Sequence, residues 1–145
     1  MIDYKLKTLP EIKAEVDRLA ARIDAVGHCE LPTYGRSEDF ARPHIEVNRD
    51  GYHWIVVERG EELQRLTTYD FDALLYRIFA SVTRSLAWSH ELAHRVESLD
   101  CRRIAFPHQL ELIAKLSASW TETTAAEQQR SLGEHPFFDR DTSSG

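Results

Sequence analysis

Two turn signals eight residues apart enclose the most strand-like run in the chain. Asn48-Arg49-Asp50-Gly51 precedes Tyr52–Arg59, whose centre reads Trp54-Ile55-Val56-Val57, and Gly60-Glu61 follows it. A β-branched and aromatic run closed at both ends by turn residues has to reverse twice, which predicts an antiparallel meander. Its strands are His44–Val47, Tyr52–Arg59 and Glu62–Thr67. Asn at the first turn position and Gly at the fourth suit a type I turn with a left-handed Gly. Matching apolar residues across both turns sets Ile45 opposite Ile55 and Ile55 opposite Leu66, with Val47 and Val57 beside them. That face is expected to be the core face. The opposite face, with His44, Glu46, Tyr52, Trp54, Val56 and Arg65, is expected to look outward. Strand side chains alternate, so a slip of one residue would exchange the two faces.

Such a sheet needs helices to cover it. Phe71, Leu74, Leu75, Ile78, Phe79, Val82, Leu86 and Val96 share one broad helical face, which predicts a long helix over 69–97 with Thr68 as its cap. Ile12, Val16, Leu19, Ile23 and Val26 predict another over 8–26. Thr8 and Glu11 are spaced as a capping box, Pro10 lies in the first turn, and Gly27 is a stop. The stretch 28–43 has no period and reads as a long loop. Helices are expected over 102–116, with Pro107 in its first turn or at a kink, and over 120–132, ended by Gly133. The fold class is therefore α+β: a three-stranded antiparallel meander against a long central helix, with one helix before it and two after. At 145 residues this is the length of one domain, expected over 1–138, with a flexible tail over 139–145.

The formal charge of −6 opposes binding to phosphate backbones and suits a basic protein partner. No apolar stretch reaches the roughly 20 residues of a membrane span, and the first residues do not resemble a secretory signal. Cys29 and Cys101 are 72 positions apart and form no C-x-x-C pair, which predicts two reduced thiols and a cytoplasmic location.

One string matches a catalytic pattern. His90-Glu91-Leu92-Ala93-His94 is H-E-x-x-H, in which two histidines one turn apart hold zinc and the Glu serves as general base. A catalytic zinc also needs a third protein ligand, and no downstream His or Glu stands in a recognisable setting for one. Two solvated histidines near a helix end are the simpler account, so neither metal nor cofactor is expected. His28 beside Cys29 lacks an orienting Asn or Asp for a thiol nucleophile. No phosphate-binding glycine loop and no G-x-S-x-G occurs. No catalytic residue is assigned.

Several segments carry a family resemblance. Leu31-Pro32-Thr33-Tyr34-Gly35-x-Ser37-Glu38, Arg42-Pro43-His44-Ile45-Glu46-Val47, Gly51-Tyr52-His53 and Val57-Glu58-Arg59-Gly60-Glu61 follow one another. Thr67-Thr68, Asp72-x-Leu74-Leu75-Tyr76 and Arg102-Arg103-x-x-Phe106-x-x-Gln109-x-Glu111-Leu112 continue the series. In order and spacing they resemble the bacterial immunity protein 63 family, from the first helix to about Phe138. The resemblance implies an antitoxin of a polymorphic toxin system, acting in the cytoplasm by direct binding to a cognate toxin domain and carrying no catalytic residues. A zinc-dependent hydrolase built on His90 and His94, and a general adaptor or secretion chaperone, are the alternatives.

For a protein that binds, the expected contact surface is the outer sheet face and the adjoining hairpin. Tyr52 and Trp54 would be its aromatic anchors and Glu58, Glu61 and Glu62 its charged rim. Should a helix cover the two aromatics, the 28–43 loop takes their place, through Tyr34, Arg36 and Glu38.

Overall fold

The computed structural model describes residues 5–140, and the chain is α+β. In order its elements are α1 (Leu9–Arg22), β1 (Thr33–Tyr34), β2 (Phe40–Asn48), β3 (Gly51–Glu58), β4 (Glu61–Thr68), α2 (Phe71–Ala93), α3 (Arg102–Ala114) and α4 (Ala118–Glu134). Two compact units divide between Val82 and Thr83, inside α2.

The first unit holds one sheet in the order β1-β2-β3-β4. β1 is parallel to β2, and the other pairs are antiparallel, so the sheet is four-stranded and mixed rather than a three-stranded meander. The added strand lies inside the stretch expected to be loop. Two residues are too few to show an alternation, and their order comes from pairing: Tyr34 lies opposite Ile45, and the Gly35 N–H donates to the Ile45 carbonyl at 2.8 Å.

The expected register is one residue out at both hairpins. Asn48 pairs directly with Gly51, leaving a loop of only Arg49 and Asp50. Gly51 has φ +116°, and a Cβ there would lie 2.7 Å from the Thr68 carbonyl oxygen, so no side chain fits. At the second turn Arg59 and Gly60 both have positive φ, as the two-residue mirror turn of a tight hairpin requires. Leu63 then has no partner between Glu62, opposite Val57, and Gln64, opposite Val56, which makes a β-bulge. The resulting row is Ile45, Trp54 and Leu66, and Ile55 lies between His44 and Arg65 on the other face.

Ile45, Val47, Tyr52, Trp54 and Val56 therefore share the face that meets the helices. The Phe71 ring stands 5.6 Å from the Tyr52 ring, and the Arg77 guanidinium lies 5.0 Å from the centre of the Trp54 ring. Lys7 N donates to the Tyr52 hydroxyl at 2.6 Å, so the segment leading into α1 reaches the same face. Tyr52 is 2% and Trp54 5% exposed. Their expected outward orientation is corrected, because a one-residue shift of β3 against both neighbours carries each β3 side chain to the opposite face.

α1 begins with the capping box expected at Thr8 and Glu11 and buries Ile12, Val16, Leu19 and Ala20. It ends at Arg22 rather than 26; Asp24 has φ +53°, and Val26 is exposed beyond the stripe. α2 starts at Phe71, where the Asp70 carboxylate accepts from the Asp72 N–H at 2.9 Å and takes the capping role expected of Thr68. Its first half buries Leu74, Leu75, Ile78, Phe79 and Val82.

In the second unit α2 continues through Thr83, Ala87 and Glu91, all buried, and ends at Ala93 rather than 97. Pro107 lies within α3, past its first turn. Ser117 caps α4 by accepting from Trp120 N at 3.2 Å. Gln109 donates to Thr83 Oγ1 at 3.3 Å, and Gln128 donates to Gln109 Oε1 at 3.2 Å and to the Phe106 carbonyl at 3.1 Å, which satisfies polar groups inside this unit. The segment after α4 is tied down by charge. Arg102 donates to the His135 and Pro136 carbonyls, and Asp100 accepts from Phe138 N at 2.9 Å. Arg103 pairs with Asp139 at 2.8 Å, and Arg140 N donates to the Ser98 carbonyl. Of the expected tail, 141–145 lies outside the described residues.

Candidate functional site

The sheet face away from Tyr52 and Trp54 carries His44, Glu46, His53, Ile55, Arg65 and Thr67, placed there by strand alternation. It is polar but only partly open: Arg65 and Thr67 are exposed, Glu46 is half-buried, and His44 and His53 are buried. Ile55, at its centre, is nevertheless 1% exposed. His53 organises the surface. Arg65 Nη1 stands 3.0 Å from His53 Nδ1, and a guanidinium only donates, so Nδ1 accepts. Nε2 then carries the hydrogen and donates to Asn48 Oδ1 at 2.9 Å. The same Asn48 oxygen accepts from Asp50 N at 2.8 Å, which joins the face to the first turn. Thr67 Oγ1 lies 3.0 Å from His53 Nδ1.

Arg65 also chelates Glu62, with Nη2 at 2.6 Å and Nε at 3.0 Å from Oε1. This bond holds the Glu62 carboxyl below its ordinary pKa and the guanidinium above its own. His44 Nε2 is 3.7 Å from Glu46 Oε1, while its buried Nδ1 has no hydrogen-bond partner among the described residues.

Of the residues expected to contact a partner, Glu58, Glu61 and Glu62 are exposed around the Arg59-Gly60 turn. Asp39, which sequence reasoning missed, is held against that turn: its Oδ1 accepts from Gly60 N at 2.8 Å. This bond brings the hairpin tip together with the end of the 28–43 segment, where Glu38 is exposed and 3.3 Å from Arg42. The hairpin and the loop, two alternatives in the sequence, therefore share one acidic corner. Asp39 and Ala41 on either side of Phe40 both have positive φ, a conformation rare for a residue with a Cβ. Backbone held in such a conformation is found disproportionately at binding sites.

The other two candidates of the loop lie elsewhere. Tyr34 is half-buried in β1, where burial, reinforced by the Asp17 carboxylate, pushes its hydroxyl pKa up. Arg36 is exposed in the turn after β1, and its carbonyl accepts from Thr33 Oγ1 at 2.7 Å. His53, Asn48 and Thr67 were missed as well. Their signal was the alternation of polar residues at His44, Glu46 and His53, readable only in the correct register.

The H-E-L-A-H segment forms a different arrangement in the second unit. His90 stacks on His108 with ring centres 3.8 Å apart and planes 2° from parallel, and on His94 at 4.1 Å. Metal ligands need ring nitrogens converging edge-on, whereas these rings lie face to face. His94 Nδ1 is 2.9 Å from the His90 carbonyl. Glu91 is 1% exposed and held bidentately by Arg95 at 2.9 and 3.0 Å, which lowers its carboxyl pKa. Among the described residues no group of three or more His, Cys, Asp or Glu is placed to hold a metal. Burial lowers the His108 pKa, and the neighbouring His90 adds to the effect. An open groove of about 570 Å³ adjoins this segment, lined by Arg95, Leu99, Asp100, Cys101, Arg102 and Phe138 among others. Cys29 and Cys101 are both free thiols.

Among the described residues no helix is long and apolar enough to cross a membrane. The family model described as Immunity protein 63 matches residues 48–130, more than half of the chain. The match starts at the first hairpin turn and is narrower than the span of the resemblance seen in the sequence. No curated protein and no solved structure matches the chain.

Proposed function

Because the chain belongs to the immunity protein 63 family, we propose that it neutralises the cognate toxin domain of a polymorphic toxin system by direct binding, in the cytoplasm of the cell that makes both. The family match is the observation that carries this reading. A binder needs an accessible, complementary surface and no reaction centre, and the acidic corner supports that role. Glu38, Asp39, Glu58 and Glu61 converge on one end of the sheet, next to a polar face that His53 and Arg65 hold rigid. Carboxylates at the rim of such a surface raise the association rate toward a basic domain. Tyr52 and Trp54 act here as the packed support beneath the surface and do not touch the partner. The protein catalyses no reaction in this account.

The test is co-expression with the C-terminal domain encoded by the gene immediately upstream. Growth restored by this chain, with a stoichiometric complex on purification, is the expected result. Continued toxicity with no complex would overturn the proposal.

A further inference from the structure

Among the described residues β4 is the last strand of the sheet, with β3 its one neighbour there. It runs for eight residues, contains no proline, and most of its residues are exposed. An unpaired edge of this length is a template for strand addition, and proteins ordinarily shorten, cover or interrupt such edges. The Leu63 bulge interrupts only the first part. From Gln64 to Thr68 the pairing with β3 runs without a shift. In an antiparallel ladder every second residue turns its N–H and C=O away from its neighbour strand. Counting from the Arg59-Gly60 turn through the bulge, those residues are Arg65 and Thr67. No backbone or side-chain group among the described residues bonds to their outward N–H and C=O. The Arg65 side chain folds back onto Glu62 and His53 rather than guarding the edge.

Charge selects the occupant. Residues 58–72 hold five carboxylates, Glu58, Glu61, Glu62, Asp70 and Asp72, against two guanidiniums, Arg59 and Arg65. This net −3 is half of the chain's formal −6, and it sits at the two ends of β4. The uncharged stretch between them is Leu66-Thr67-Thr68-Tyr69. A second copy would bring an equal negative charge, so a basic partner is favoured. We propose that β4 receives an extended segment of the toxin domain as a fifth strand, apolar or small at its centre and basic at both ends. Backbone bonds to Arg65 and Thr67 would supply the pairing, and the carboxylates would fix its position. This inference rests on the neutralisation reading and adds where and how the toxin is held.

Two substitutions at one position separate backbone from side chain. Thr67→Pro removes the outward N–H and breaks no backbone bond to β3, whereas Thr67→Val keeps the N–H and the shape; both lose the hydroxyl that meets His53, so their difference reads the N–H. With the purified full-length protein and the upstream-encoded toxin domain, Thr67→Pro is expected to weaken binding about tenfold or more and Thr67→Val by under about threefold. Hydrogen exchange on the wild-type complex should show the Arg65 and Thr67 amides newly protected, a readout that holds even if Thr67→Pro fails to fold. Equal effects of the two substitutions, or unprotected amides in a formed complex, would overturn strand addition and leave neutralisation standing. A free protein that is dimeric, and made monomeric by Thr67→Pro, would assign the edge to a second copy and also overturn it. If no complex forms at all, the neutralisation reading itself fails.

Discussion

The two faces of the sheet use similar residues to opposite ends. On the covered face Tyr52 and Trp54 are enclosed with Ile45, and their polar atoms do little outside the unit: the Tyr52 hydroxyl takes the Lys7 N–H, and Trp54 Nε1 has no partner among the described residues. On the open face His53, Arg65, Glu62 and Asn48 bond to one another around a single buried aliphatic, Ile55. The first face contributes stability by excluding water. The second is rigid but still presents charge, which is what recognition of a partner requires. Large aromatics in a strand are thus no sign by themselves of an interface; the turn that sets the register decides which side of the sheet they occupy.

The contrast makes graded predictions. Trp54→Ala should cost about 3–5 kcal/mol in denaturant unfolding, because it removes a large enclosed side chain and leaves a cavity. A variant as stable as the wild type that released its partner faster would return Trp54 to the interface. Ile55→Ala should cost about 2–5 kcal/mol, at the lower end of that range, since its cover is a layer of polar side chains that can settle inward. No loss there would mean that the open face has no buried centre. Arg65→Ala should change stability by only about 0–1 kcal/mol, as exposed ion pairs generally do. The smallest effect is expected away from both faces: replacing His90 and His94 together by Ala should change stability by about 1 kcal/mol at most and leave the protein's metal content unchanged. One equivalent of tightly held zinc, lost on that double change, would reopen the hydrolase reading.

Much of this was legible in the sequence, for physical reasons that differ between elements. The Thr8–Glu11 capping box and the stripe on α1 are local signals: the box is present as read, and the stripe is buried from Ile12 to Ile23 but loses Val26, which lies beyond the helix end at Arg22. The two hairpins were located by their turn residues for the same reason. The register was lost because aligning Ile45, Ile55 and Leu66 treats aliphatics as the core and aromatics as surface, although Tyr and Trp bury more area than either. The count also missed two backbone details, the two-residue loop at Arg49-Asp50 and the bulge at Leu63. β1 could not be seen, because a two-residue strand exists only through its partner. The acidic corner was half visible: Glu58, Glu61 and Glu62 are close in sequence, but Asp39 joins them through a bond between residues 21 positions apart. The stacking of His108 on His90 was likewise beyond a reading of one helix at a time.

The central claim is that a partner is met on the open, acidic side of the sheet. Stopped-flow association with the upstream-encoded toxin domain, measured over a range of ionic strength, tests it most directly. The variant is Glu58→Gln with Glu61→Gln, which leaves the Glu62–Arg65 pair in place. The wild-type rate should fall steeply with salt, as screening of exposed charges requires. The variant should associate more slowly with a flatter salt dependence and an unchanged dissociation rate. Association equally fast and equally salt-dependent in both proteins would contradict the account and place the contact elsewhere on the chain.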